Sequence, residues 1–196
     1  MIYQIVAILI LAAFYSFYIA KIIIQKKQSI KTNQMGIGNK PRKVLIIERI
    51  MSVATVLTCM LGVLSIFLVK KYPIAEIRIA GIVIGVIAVV FFALATITMK
   101  NSWRVGIPEE KTSLITNGIY KWSRNPAFVG FDLLYLSNIL MFFNIPLVVV
   151  SVWAVVMLHL QILQEERYLA SAFGAEYLAY RRRVLRYLGR RKGEKK

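Results

Sequence analysis

"IAEIRIAGIVIGVIAVVFFALATITM" (Ile74–Met99) decides the fold class. After Arg78 it runs to Met99 without one charged side chain. About 20 consecutive apolar residues are what an α-helix needs to cross a bilayer's hydrocarbon core. Four more segments read the same way: Ile2–Ile24, Val44–Val69, the shorter Ala127–Phe143, and Pro146 to about Leu163. Nothing alternates with period 2 over a barrel-like series, so strands are not expected. The sequence therefore predicts an all-α integral membrane protein with about five transmembrane helices. The chain is 58% hydrophobic, too apolar for an ordinary soluble domain of its size.

The charge supports this. A formal net charge of +17 is concentrated between the apolar runs. "QKKQSIKTNQMGIGNKPRK" carries six basic residues and no acid, and "YRRRVLRYLGRRKGEKK" carries nine basic residues and one acid. "KNSWRVGIPEEKTSLITNGIYKWSR" is long and mixed, while "KKYPIAEIR" and "FNIP" are short. With five spans the three long basic segments fall on one side, which the positive-inside rule makes cytoplasmic. The N-terminus is then outside and the C-terminus inside. The first segment lacks a basic n-region and an A-x-A site, so it reads as a retained helix, not a signal peptide. Nucleic acid is not expected, because no nucleic-acid motif accompanies the basicity. Anionic lipid head groups are the expected partners of the basic loops. The tail after Leu188 reads as disordered. The lone cysteine, Cys59, excludes an internal disulfide and reads as a small packing residue. With His159 the only histidine, a His-rich metal site is excluded and no metal is expected.

Polarity gathers at the mouth of the fourth segment, in "TNGIYKWSRNPAFVGFD". Asn117-Gly118 signals a turn. Pro126 suits the first position of a helix, where its missing N–H costs nothing, and Asn125 suits the N-cap before it. Asp132 places a carboxylate inside an apolar run, a functional-site signal by default. A second cluster is "LHLQILQEERYLASAFGAEYLAYRRRVLRYL". Helical spacing puts His159 and Glu166 on one face and Gln161 and Glu165 on another. Glu165, Glu166 and Arg167 stand where the fifth span leaves the bilayer. The helix is expected to stop near Gly174, with Tyr177, Tyr180 and Arg181 following on one face.

The two clusters together resemble the isoprenylcysteine carboxyl methyltransferase and phospholipid methyltransferase superfamily. Its pattern is roughly G-x-Y-x-x-x-R-H-P-x-Y-x-G, a hydrophobic hairpin, then E-E-R-x-L-x-x-x-F-G-x-x-Y-x-x-Y. Gly118, Tyr120, Arg124, Pro126 and Gly130 match the first half. Glu165, Glu166, Arg167, Leu169, Phe173, Gly174, Tyr177 and Tyr180 match the second. Asn125 replaces the family histidine and Phe128 the family tyrosine. Asparagine keeps hydrogen-bonding ability but is no base near neutral pH.

The resemblance implies a membrane enzyme using S-adenosylmethionine, with S-adenosylhomocysteine as product. The cofactor pocket would be cytoplasmic and built from both motifs: Gly118, Tyr120, Arg124, Asn125, Pro126, Phe128, Gly130, Glu165, Glu166, Arg167, Tyr177 and Tyr180. Glu165 or Glu166 can meet the cofactor's ammonium or ribose, and Arg124 or Arg167 its carboxylate. Tyr120, Trp122, Tyr177 or Tyr180 can line the adenine. Arg124, Glu166 and Asp132 are the candidate catalytic residues, with His159 a third candidate base. The acceptor would be lipidic, isoprenylcysteine-carboxylate-like or phospholipid-like, and would enter from the bilayer.

Residues 1–116 then form helices and loops, 117–188 the methyltransferase-like core, and 189–196 a basic tail. Two other classes compete. Membrane sterol and enone reductases, which use NADPH, carry R-x-x-N-Y-x-G-[DE], whereas this chain has "RNPAFVGFD", without the Asn-Tyr pair and with the acid one place late. A non-enzymatic transporter or scaffold would use Asp132 but has no need of the E-E-R cluster, and no inverted repeat is visible.

Overall fold

The computed structural model describes residues 1–108, 110 and 112–191. All five expected segments are helical: α1 (Ile2–Lys27), α2 (Arg42–Leu68), α3 (Ala75–Met99), α4 (Pro126–Met141) and α5 (Ile145–Arg183). Short 3-10 turns occupy Lys100–Ser102 and Gly118–Lys121, and two isolated bridges pair Asn33 with Val105 and Val184 with Arg190. α1, α2, α3 and α5 are long and apolar enough to cross a membrane. α4 has 16 residues, about 24 Å at 1.5 Å per residue, short of a core about 30 Å thick. The expected five spans are thus four long helices and one short one.

Helices in lipid associate by close packing and interhelical hydrogen bonds, not by hydrophobic exclusion, so small residues mark their seams. α3 shows this. Gly81, Gly85, Ala88, Phe92 and Ala95 are buried at alternating four- and three-residue spacing. α4 packs on that stripe, and Ser137 Oγ donates to the Gly81 carbonyl at 2.7 Å. A Cβ at Gly81 would lie 2.8 Å from Met141 Cγ, and one at Gly85 2.6 Å from Ser137 Oγ. Gly130 is the reciprocal position on α4, where a Cβ would meet Phe92 Cβ at 3.1 Å. Phe14 of α1 stacks on Phe92 at 4.3 Å and meets Phe131 edge-on at 5.0 Å, tying α1, α3 and α4 together. α2 packs chiefly on α5, where Thr58 Oγ1 donates to the Val150 carbonyl at 3.1 Å. Gly85→Val forces two close-packed helices apart and is expected to cost about 1–3 kcal/mol. The check is a lower Tm in detergent.

The expected stop near Gly174 is present as a break: Gly174 has φ +49 and ψ −125, and after this kink a second helical stretch runs on to Arg183. The glycine is needed because a side chain is strained at that φ. One expectation is corrected. The chain is not free after Leu188: Gly189 N donates to the Trp122 carbonyl at 2.7 Å, Leu185 N to the Gly189 carbonyl at 2.9 Å, and Arg191 N to the Arg183 carbonyl at 3.0 Å. Residues 184–191 form a strap folded back onto the start of α4. Residues 192–196 of the expected tail lie outside the described residues.

Candidate functional site

The kink at Gly174 brings the end of α5 over the turn that precedes α4. Gly118 opens that turn at φ +54, where a Cβ would lie 2.8 Å from Thr98 Cγ2. Tyr180 Oη then donates to the Tyr120 carbonyl at 2.7 Å. Tyr120, Tyr177, Tyr180 and Val184 form one buried cluster with Ala95. Two motifs some 35 residues apart become one wall.

Arg124 is the hub of that wall. Its backbone N donates to the Leu185 carbonyl of the strap at 3.2 Å. Its Nη2 pairs with Glu166 Oε1 at 2.9 Å, and its Nη1 donates to Tyr177 Oη at 3.3 Å. Arg186, from the strap, adds a second guanidinium to the same carboxylate, with Nε at 3.1 Å from Oε1 and Nη2 at 2.9 Å from Oε2. Glu166 is therefore saturated by two arginines. Asn125 holds the N-cap position but makes no side-chain cap bond, which corrects that expectation. Its Nδ2 donates instead to the Arg186 carbonyl at 3.1 Å, and its backbone N to Ser123 Oγ at 3.0 Å. The residue that departs from the family pattern pins the strap in place. Pro126 is the first residue of α4, as expected.

Glu165, about 100° further round α5, has a different role. Its Oε1 accepts from Gln161 Nε2 at 3.1 Å. Burial pushes its carboxyl up to about 7, partly countered by the Gln161 bond, with Glu48 raising and Lys40 lowering it further. Burial also raises the phenols of Tyr120 and Tyr180, and pushes Tyr177 up to about 12. All three stay protonated near neutral pH, so none serves as a base.

These groups border a cavity of about 460 Å³ that runs between α1, α2 and α4. Tyr120, Arg124, Asn125, Glu165 and Tyr180 line its polar end, with Phe128 beside them. Tyr15, Val56, Cys59, Met60 and Phe131 line its apolar end. Val56 and Met60 are also exposed on the outer surface of α2, so this end reaches the lipid-facing side. Gly118, Pro126, Gly130, Glu166, Arg167 and Tyr177 stand outside the lining. Gly118, Pro126 and Gly130 shape the backbone, Glu166 and Tyr177 hold Arg124, and Arg167 is exposed. Trp122 is 60% exposed and also outside the lining.

Asp132 and His159 do not line the cavity either. One buried oxygen of Asp132 has no hydrogen-bond partner, and His159 Nδ1 lies 2.5 Å from Tyr187 Oη of the strap. Among the described residues no His, Cys, Asp and Glu group could hold a metal.

The first 116 residues contribute more than their sequence announced. Cys59, expected as a packing residue, lines the cavity with Tyr15, Tyr18, Ser52 and Thr55. The available signal was the set of small polar side chains, Ser52, Thr55 and Cys59, spaced three and four residues apart within the apolar run of α2.

Residues 77–171 match the isoprenylcysteine carboxyl methyltransferase (ICMT) family. That span holds nearly all of α3, α4, α5 as far as Ser171, the whole first motif and the Glu165-Glu166-Arg167 start of the second, and it supports the resemblance read from the motifs. Over those residues, a little under half of the chain, the protein is similar to that family, and its long apolar helices are those of a membrane protein. No curated protein matches the chain.

Proposed function

We propose, with a family of membrane methyltransferases as premise, that this protein moves a methyl group from S-adenosylmethionine to a lipidic acceptor. The observation that carries the reading is one cavity with two characters. Arg124 and Glu165 stand at one end, and apolar side chains at the lipid-facing side stand at the other.

The residues fit the cofactor. Glu165 lines the cavity and its Oε1 accepts from the neutral Gln161 amide, which suits the ammonium or the ribose hydroxyls. Arg124 is held in place by Glu166 and Tyr177 and lines the cavity, which suits a carboxylate. Tyr120, Phe128 and Tyr180 offer apolar faces for the adenine. When bound, S-adenosylmethionine supplies an electrophilic methyl on a sulfonium. Arg124 and Glu165 would hold it at the polar end, with that methyl directed toward the acceptor.

Positioning supplies much of the barrier reduction in such a transfer. An anionic acceptor loses its charge in the step, so a dry cavity favours reaction and no base is required. The polar loops, the strap and the site are read as cytoplasmic by the positive-inside rule, with the N-terminus outside. Residues 117–188 form the core of the activity and 1–116 the wall that meets the acceptor.

The test is transfer of labelled methyl into an organic-extractable lipid by membranes containing the protein. Label must appear with the wild type and vanish with Arg124→Ala, and absence of label in the wild type would sink the reading.

Protonation gives a further expectation. The folded-state carboxyl of Glu165, at about 7, lies above its ordinary 4.5. Folding thus favours the protonated form, and stability from this group is lost as pH rises from about 4.5 through about 7. A ligand ammonium that pairs with Glu165 needs the ionised form. Affinity for S-adenosylhomocysteine is then expected to rise roughly tenfold between pH 6 and pH 8, as the ionised fraction grows. Glu165→Gln should flatten that profile in a binding titration.

A further inference from the structure

Glu48 lies outside both motifs and outside residues 77–171, yet among the described residues it is an acid with four hydrogen bonds to its carboxylate. It is fully buried. Its Oε2 accepts from Gly36 N at 2.7 Å and from Lys40 Nζ at 2.8 Å. Its Oε1 accepts from Ile107 N at 2.8 Å and from Lys40 Nζ at 3.1 Å. Gly36 and Lys40 belong to the loop between α1 and α2, and Ile107 to the loop after α3. One carboxylate joins two loops distant in sequence.

The loops also pair directly. Val105 N donates to the Thr32 carbonyl at 3.0 Å, and Gln34 N to the Val105 carbonyl at 2.9 Å. Gly106 passes so close to the carboxylate that a Cβ there would sit 3.0 Å from Glu48 Oε1 and 3.0 Å from Met35 N, at a φ of +86. Asn33, Met35, Val105 and Gly106 line the cavity of the candidate site. The two loops are its roof, and Glu48 is what fastens them. The roof ion pair also acts on the site electrically, since Glu48 and Lys40 both bear on Glu165.

We propose that Glu48 is a positioning residue for the methyl-transfer site: it holds the loops 28–40 and 100–108 closed as a roof over the cavity. This rests on the methyltransferase reading for the identity of the ligand, and on the bonds alone for the roof. A buried carboxylate with this many donors is a device for order more than for stability. Its own desolvation offsets much of the Coulomb gain, whereas removing it leaves the buried Lys40 ammonium without its counter-charge, bonded to the Gln34 carbonyl, and two N–H groups without partners.

The single cysteine supplies a probe. Cys59 lines the same cavity, eleven positions further along α2 than Glu48, so a charged, water-soluble maleimide entering by the polar end should reach it faster when the roof opens. Two quantities are measured in reconstituted protein: the rate of Cys59 labelling and the Kd for S-adenosylhomocysteine. Glu48→Gln keeps the shape and loses the charge. Gly106→Ala pushes on the roof, at Glu48 Oε1 and Met35 N, without removing any charge, and it decides the matter should Glu48→Gln fail to fold. In either variant, a closed fraction reduced to a tenth raises the Kd about tenfold, and labelling accelerates alongside. Bound S-adenosylhomocysteine should slow labelling in the wild type. Unchanged labelling and affinity in both variants, with a wild type that binds, would overturn the role given to Glu48 and leave the methyltransferase reading intact. A wild type that binds no S-adenosylhomocysteine would instead overturn that reading, while faster labelling in Glu48→Gln would still show the roof.

Discussion

Glu166→Ala is expected to lose about 3–5 kcal/mol of stability, the largest single loss for any charged residue of the site. The reason is what it leaves behind. Glu166 and Arg124 have side chains only 8% exposed, and Arg186 is 35% exposed. Without the carboxylate, Arg124 keeps its charge in a buried place, with its Nε already lacking a partner. Two guanidiniums, one from the start of α4 and one from the strap, would then repel each other across a vacated space. Loss of the Arg186 pair also frees the strap, which Asn125 and Trp122 hold only by neutral hydrogen bonds. Glu166→Gln should cost less, because one acceptor oxygen remains for Arg124. Thermal unfolding in detergent checks both. A cooperative transition at the wild-type Tm in Glu166→Ala would show that the ion-pair network does not hold the site together.

The second large effect concerns ligand. At a hundredfold excess over Kd, S-adenosylhomocysteine should stabilise the folded protein by about 2.7 kcal/mol. Glu165→Gln should remove most of that shift while leaving the unliganded Tm near the wild type or slightly higher at neutral pH, because a buried carboxyl that resists ionisation is replaced by a neutral isostere. Leu136→Ala, on the lipid-facing surface of α4, should retain the whole shift. The contrast with Glu166 is informative. Glu166→Ala should lower the Tm before any ligand is added, and Glu165→Gln only after.

That contrast was not legible in the sequence. Adjacent acids in "QEER" point about 100° apart on a helix, and only the fold shows which one faces the cavity. The spans themselves were legible, because the bilayer demands long apolar runs and the chain supplies them: Ile2–Ile24 became Ile2–Lys27, and Ile74–Met99 became Ala75–Met99. The bounds moved where basic or polar residues continue a helix beyond the hydrocarbon. The pairing of the two motifs was also readable.

The strap was not. "RRRVLRYLGRR" has the composition of a solvated tail, but its anchors are backbone groups, which composition does not report. Gly189, at φ +113, was the one local hint of a turn. The roof was hidden for a related reason. Glu48 is a lone acid near the start of an apolar helix, and its partners are backbone N–H groups of two loops that touch only in three dimensions. Asn125 shows the same limit: its type fits a cap, and the strap, invisible from sequence, takes its amide instead.

The most direct test is equilibrium binding of S-adenosylhomocysteine to the purified protein in lipid nanodiscs, with NADPH as competitor. The account predicts saturable binding, undisturbed by NADPH, strengthened from pH 6 to pH 8 and lost in Arg124→Ala. No saturable binding to folded protein, or displacement by NADPH, would contradict it.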